Sequence, residues 1–290
     1  MPVLSSTDLT DSATSRYYDG LHGTIIGYGK QSQVELLERD YLKMPIIIKW
    51  MGVGKRLKYE ETVNLHTHLF VYRDILERNG WSIPKLHEVI IYKAKRTAYI
   101  SVYEEYIIGR SINEIIQDKS YAVNQKWELF GLLFSLLARQ ESVTLTVGSK
   151  QLHRLPYGVD LKPDNLIIDD TGRIRLVDTF APKTINDKGQ WTSYSKKLEG
   201  LDEESLMAVT ATREGIVLRF LRLAHVRSPV EYGKSEVIQH LQDCLLEAGV
   251  SSGETEFIMD EVKSGYRWLN HLYAKSRQAP HCLYGWLYRW

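Results

Sequence analysis

Asp160, Lys162, Asn165 and Asp178 are the residues of this chain whose types and spacing could do chemistry. Three of them fall within Asp160-Leu161-Lys162-Pro163-Asp164-Asn165, and the fourth opens Val177-Asp178-Thr179-Phe180 after a short run. A carboxylate, an ammonium, an amide and a second carboxylate, in that order, are what phosphoryl transfer requires. The transferring group carries charge to be neutralised, and the attacking hydroxyl carries a proton to be taken or oriented. Asp160 suits the hydroxyl, Lys162 suits the charge on the moving phosphoryl group, and Asn165 and Asp178 offer the hard oxygen ligands that Mg²⁺ prefers.

The run between the two clusters, Leu166 to Val177, is apolar and β-branched at both ends around Asp169-Asp170-Thr171-Gly172, which predicts a β-hairpin. A hairpin brings its flanks side by side, so Asn165 and Asp178 can serve one metal cluster. With that spacing the segment resembles the catalytic and metal-binding loops of the protein-kinase-like superfamily. The same order continues upstream. Gly23 to Val34 resembles a glycine-rich nucleotide loop, with Gly27 and Gly29 in place and Ser32 where a third glycine would stand. Small residues there let backbone N–H groups approach phosphates. Lys49, at the end of Pro45-Ile46-Ile47-Ile48-Lys49, is similar to the family's strand lysine on the α and β phosphates. The strand Thr97 to Tyr103 runs into Glu104-Glu105-Tyr106-Ile107-Ile108-Gly109, similar to the interlobe hinge and the short helix after it. The resemblance implies ATP and Mg²⁺ as cofactors, with backbone groups at Glu105 and Ile107 on the adenine edge.

Three departures shape the functional expectation. The family's helix glutamate, partner of the strand lysine, has no residue at the usual distance, and Glu61 is the candidate taken for it. Acidic residues in a first helical turn, Glu60 and Glu61 alike, are also what the helix dipole favours. Gly158-Val159 stand where most members carry His-Arg or His-Gly, which removes a support of the metal loop rather than a reacting group. No glycine follows Phe180 and no Ala-Pro-Glu closes an activation segment. These omissions resemble small-molecule phosphotransferases of the aminoglycoside and choline type, whereas Lys162 is the protein-kinase choice. The expectation is transfer of the γ-phosphoryl group to a hydroxyl of a small molecule. A protein Ser/Thr kinase is the alternative, and a catalytically impaired nucleotide-binding module the second.

Periodicity places the elements that must position these residues. Strands are predicted at 22–28, 32–38, 44–50, 86–92 and 97–104, and helices at 57–79, 121–142, 201–224, 234–248 and 254–276. That pattern, with the resemblance, predicts an α+β, two-lobed protein-kinase-like fold. Residues 1–20 form an N-terminal extension, 21–106 a small β-rich nucleotide-binding lobe, and 107–290 a larger, mainly helical catalytic and acceptor-binding lobe.

A chain of 290 residues with 43% hydrophobic content is long enough for two lobes and short for two unrelated large domains. Its net charge of +1 gives no nucleic-acid footprint. The lysines at 183, 188, 196 and 197 read as a solvated loop followed by acids. Glu199 and Asp202-Glu203-Glu204 read more simply as the start of a helix than as an acidic acceptor pocket. His66 and His68 point to different helix faces and make no metal pair. Cys244 and Cys282 read as reduced thiols. With no signal peptide, lipidation motif or membrane span in the sequence, a cytoplasmic protein with no membrane or nucleic-acid partner is expected. The aromatic tail 283–290 is expected to dock on the core.

Overall fold

β-branched and aromatic residues dominate the first third of the chain, and in the computed structural model they build an antiparallel sheet. The structure describes residues 23–28, 32–38, 44–51, 57–94, 97–180, 184–185, 191–192, 203–227 and 235–275. Residues 1–20, Gly29, Lys183, Lys188, Lys196, Lys197, Glu199, Asp202, Cys282 and the tail 283–290 lie outside them, as do the side chains of Ser32, Glu203 and Glu204. The chain divides into two units, Met1–Val71 with Ile83–Ile108, and Tyr72–Ser82 with Gly109–Trp290.

In the first unit, strands β1 (Thr24–Tyr28), β2 (Ser32–Leu37), β3 (Ile46–Met51), β4 (Leu86–Ala94) and β5 (Thr97–Glu105) form a five-stranded sheet ordered β1-β2-β3-β5-β4. All four pairings are antiparallel. Alternation sorts the side chains by face. Leu37, Ile46, Ile48, Trp50 and Tyr103 form one buried cluster. Trp50 also meets the stacked rings of Tyr92 and Tyr99, which are cross-strand partners with centroids 4.8 Å apart. On the other face, Ala98, Ile100, Val102 and Glu104 are buried. Helix α1 (Tyr59–Arg78) lies between β3 and β4 in the chain, and from Tyr72 onward it belongs to the second unit. Its start is closed by Glu61, whose carboxylate accepts the Lys58 N–H at 2.9 Å. Its end is closed by Gly80 at φ 81, beyond which the Trp81 N–H returns to the Leu76 carbonyl.

The second unit is mainly helical. It contains α2 (Ile112–Gln117), α3 (Val123–Ala138), α4 (Glu203–Thr210), α5 (Arg213–Arg227), α6 (Ser235–Glu247), α7 (Ser252–Lys263) and α8 (Arg267–Lys275). α3 buries Trp127, Phe130, Leu133, Phe134 and Leu137, and Phe130 meets Phe220 of α5 edge to face at 4.9 Å. Two capping boxes start helices here, Ser111 with Glu114 on α2 and Ser251 with Glu254 on α7. The end of α2 is closed by Lys126, fully buried, whose ammonium donates to the Ile116 carbonyl at 2.9 Å.

Short strands frame the region of interest. β6 (Gly109–Ser111), β9 (Leu166–Asp169) and β10 (Ile174–Leu176) form a three-stranded sheet ordered β10-β9-β6, and β7 (Val143–Val147) pairs with β8 (Lys150–Arg154). β11 (Thr184–Ile185) pairs with β12 (Trp191–Thr192). The predicted hairpin is therefore β9–β10, and Asp169 organises its turn by accepting from the Thr171 and Arg173 N–H groups. Gly109 lets β6 approach β9, since a Cβ there would come within 2.1 Å of the Ile168 carbonyl oxygen.

The architecture is thus mixed α/β, a small antiparallel sheet region with helices. Two expected helices are each divided. The stretch 201–224 breaks between α4 and α5, and 254–276 breaks between α7 and α8, where Gly265 and Tyr266 take φ of 71 and 60. The β7–β8 hairpin was not expected from periodicity. Among the described residues no helix is long and apolar enough to cross a membrane.

Candidate functional site

The break between α4 and α5 shapes the loop that carries Asp160. At the break, carbonyls of the α4 end leave the helical ladder. The Thr210 carbonyl accepts the Val159 N–H and the Ala211 carbonyl accepts the Leu155 N–H, both at 2.8 Å. Thr212 closes both helix ends around the break, donating to the Ala208 carbonyl and accepting the Gly215 N–H at 3.1 Å. A long-range demand on backbone groups divides the helix here.

Past Val159 the chain presents Asp160 between two cations. Lys162 Nζ lies 2.6 Å from Oδ2, and Arg219 Nη1, from α5, lies 2.8 Å from Oδ1. Burial pushes the Asp160 carboxyl up, but Arg219 and then Lys162 more than offset it, so the group sits below its ordinary range and is ionised at neutral pH. About two turns further along α5, Arg227 pairs with Asp164 of the same loop at 2.5 Å and with Asn113 at 2.6 Å. α5 thus grips the loop at two points.

The 3-10 turn Pro163–Asn165 then delivers Asn165 beneath Asp160. Its amide nitrogen donates to the Asp160 carbonyl at 3.0 Å and to Asp178 Oδ2 at 3.3 Å. The Val177 N–H in turn donates to the Asn165 carbonyl at 2.9 Å, joining the two flanks of the hairpin. Asp178 Oδ1 accepts the Phe180 N–H at 3.2 Å, which bends the chain into the Asp178-Thr179-Phe180 loop. The hairpin therefore brings Asp160, Lys162, Asn165 and Asp178 together within one unit. Asn165 and Asp178 are neighbours joined through the Asn165 amide nitrogen, and an amide oxygen with a carboxylate is a donor set that suits a hard divalent cation such as Mg²⁺.

In the first unit Lys49 lies on β3, 13% exposed, with its ammonium 2.5 Å from Glu104, which is 1% exposed. The register explains the meeting: Ile47 faces Glu104 and Lys49 faces Val102, so Lys49 and Glu104 are diagonal neighbours on one face. Among the described residues Glu104, not Glu61, is thus the carboxylate paired with Lys49, while Glu61 serves the start of α1. A glutamate in an otherwise apolar alternation was the sequence signal for it, because a buried carboxylate needs a cation. Gly27 and Ser32 lie on paired β1 and β2, and Gly29 lies outside the described residues. The Glu105 N–H donates to the Lys85 carbonyl at 2.9 Å and its carboxylate accepts the Lys85 N–H, so those groups join the end of β5 to the start of β4. Ile107, just past β5, is buried.

A second charged cluster lies behind the loop. His153 Nδ1 is 2.7 Å from Glu214 and 3.2 Å from Glu254, and Arg213 is 2.7 Å from Glu254. The arginine occupies the same Glu254 oxygen that a cation would need, so the cluster reads as a partly buried hydrogen-bonded network that ties β8 to α5 and α7. His66 packs on Phe70 with ring centroids 4.9 Å apart. Cys244 is a free thiol bonded to the Trp127 carbonyl, and burial pushes it up to about 11, which leaves it unreactive.

No family model matches the chain, and no curated protein matches it. Among solved structures the chain is similar to WaaP, in a structure titled WaaP in complex with acyl carrier protein. Identity is 10%, the match covers 93% of this chain and 98% of that one, and the TM-score is 0.48.

Proposed function

We propose that this protein is an ATP- and Mg²⁺-dependent phosphotransferase of protein-kinase-like fold that transfers the γ-phosphoryl group to a hydroxyl of a small molecule. The observation that carries the reading is the Asn165 amide, which bonds both the Asp160 carbonyl and Asp178 and so locks the proton-handling and metal-binding groups into one assembly. The order of elements supports the fold: a five-stranded antiparallel sheet with one helix between β3 and β4, followed by a helical unit whose hairpin is flanked by Asn165 and Asp178.

In the proposed reaction the acceptor oxygen bonds to the γ-phosphorus as the bond to the β–γ bridging oxygen breaks and ADP leaves. The hydroxyl proton passes to Asp160 or, with Asp160 orienting the hydroxyl, to water. An ionised Asp160 flanked by Lys162 and Arg219 is a weak base, which favours the orienting role. Lys162 neutralises charge on the moving group, and Lys49, held in direction by Glu104, anchors phosphates. Asn165 and Asp178 would hold Mg²⁺, which when bound neutralises charge on the nucleotide's phosphates.

A protein acceptor is the second reading, favoured by Lys162 on Asp160 at 2.6 Å, the protein-kinase choice at that position. A screen of hydroxylated metabolites and proteins with labelled ATP tests both readings. Label should appear on an acceptor with the wild-type chain and vanish with Asp160→Ala while nucleotide binding persists. Transfer surviving in Asp160→Ala would remove the residue's assigned role.

A further inference from the structure

Gly158-Val159 lack the histidine that supports the metal loop in most members of the family the loops resemble, yet the loop backbone here is not left to solvent. Tyr72 and Arg73, adjacent on the second half of α1, are 1% and 5% exposed and reach the two loops separately. The Tyr72 hydroxyl donates to the Gly158 carbonyl at 2.9 Å, two residues before Asp160. The Arg73 guanidinium donates to the Thr179 hydroxyl at 3.2 Å, one residue after Asp178. One helical segment is bonded to both loops.

We infer that Tyr72 and Arg73 are positioning residues for phosphoryl transfer, Tyr72 setting the Asp160 loop and Arg73 setting the Asp178 loop, an inference that rests on the function proposed above. Their helix end is itself fixed. Trp81 Nε1 donates to the Tyr157 hydroxyl at 2.9 Å, Tyr157 donates to Gln140 Oε1 at 2.8 Å, and Gln140 donates back to the Asn79 carbonyl at 2.8 Å. These bonds, two buried and one partly so, form a loop closed by the backbone from Asn79 to Trp81 and fasten the end of α1 to Tyr157, the residue before Gly158. Fully satisfied buried networks of this kind hold one geometry, because any rearrangement strands a polar group. Burial first, and then the charges of Asp178, Tyr157 and Asp160, push the Tyr72 phenol well above its ordinary value, so it stays a proton donor to Gly158.

The two contacts predict separable kinetic defects. Tyr72→Phe keeps the ring in its place and removes only the donor to Gly158, so kcat should fall about 10-fold or more with the KM for ATP little changed. Arg73→Gln removes the prop of the metal loop, so the Mg²⁺ concentration for half-maximal nucleotide binding should rise by about the same factor, with Arg73→Lys recovering part of it. Thr179→Val breaks the Arg73 bond from its other side, serving if Arg73→Gln does not fold, and the double variant should be no worse than the worse single one. Mg²⁺-dependent nucleotide binding by calorimetry and transfer of label from ATP read these out well below the melting temperature. A purely structural role would lower the melting temperature and the fraction of chains that bind nucleotide while leaving kcat per nucleotide-binding chain and the Mg²⁺ dependence where they were, and that result overturns the inference. Wild-type kcat in Tyr72→Phe and wild-type Mg²⁺ dependence in Arg73→Gln or Thr179→Val would overturn it as well, with the proposed function standing. A wild-type chain that neither binds nucleotide with Mg²⁺ nor transfers label would overturn the function first and the inference with it.

Discussion

Asp160 is the residue at which the chemistry and the electrostatics can be separated by pH. Burial raises its carboxyl, and Arg219 and Lys162 lower it further than burial raises it, leaving it below its ordinary value of 3.8. A group with a depressed folded value stabilises the protein above its unfolded value and loses that contribution as pH falls through the folded one. The stability difference between wild type and Asp160→Asn should therefore be flat from about pH 5 to 8 and shrink below about pH 4. Its plateau should reach roughly 3 kcal/mol, the low end for breaking a buried pair, because Lys162 and Arg219 keep some solvent contact. Urea unfolding at a series of pH values measures it, and a difference that varies across the neutral range would contradict the assigned ion pairs. The loop residues Asp160, Lys162, Asn165 and Asp178 were legible in the sequence because one hairpin fixes their separation locally. Arg219 was not, since it meets Asp160 through tertiary packing from a helix buried on most sides, and Glu104 was marked only by its place in an apolar alternation, its pairing with Lys49 depending on the register of β3 and β5.

At the scale of elements, the division of 201–224 into α4 and α5 matters most, because it lends backbone carbonyls to Leu155 and Val159. Nothing in the local propensity of Ala211-Thr212 demands a break, so a reading by periodicity runs one helix through. The demand comes from the distant loop. Thr212→Val keeps the volume but loses the cap of α5 and the bond to Ala208, and should cost about 1–2 kcal/mol of stability together with much of the transfer rate. Gly215→Ala should be no milder, since its Cβ would stand 1.8 Å from the Ala208 carbonyl oxygen. Denaturant unfolding with a parallel transfer assay checks both. A Thr212→Val chain within about 0.5 kcal/mol of wild type, the range of a neutral surface change, would show that the break needs no cap. By contrast, the sequence carried signals for two other features. Gly265 marks a helix stop before α8, and Val143, Leu145 and Val147 alternate with threonines up to Gly148, which takes φ of 60 in the β7–β8 turn. The first was overshadowed by apolar spacing that also fits one longer helix over 254–276.

For the whole molecule, each unit has its own buried cluster, so thermal unfolding is not bound to be a single two-state step. That fixes how ligand binding must be tested: by the shift of a transition on adding ligand rather than by the absolute midpoint. A ligand that binds only the folded chain stabilises it by about 2.7 kcal/mol at a concentration 100 times its dissociation constant. In a chain of this size that corresponds to a rise on the order of 5 °C. ATP with Mg²⁺ should produce such a rise. Chelating the metal should remove most of it, and Asp178→Asn should lose the Mg²⁺-dependent part while keeping any shift given by nucleotide alone. The amide oxygen of the new side chain can still accept the Phe180 N–H that Asp178 accepts now, while its amide nitrogen then faces the Asn165 amide and that bond is lost. What it lacks is the negative charge that a hard divalent ion requires. A wild-type shift indifferent to Mg²⁺, or an Asp178→Asn chain that responds to the metal as wild type does, would leave Asp178 without its metal role and the proposed phosphotransferase without its charge-neutralising centre.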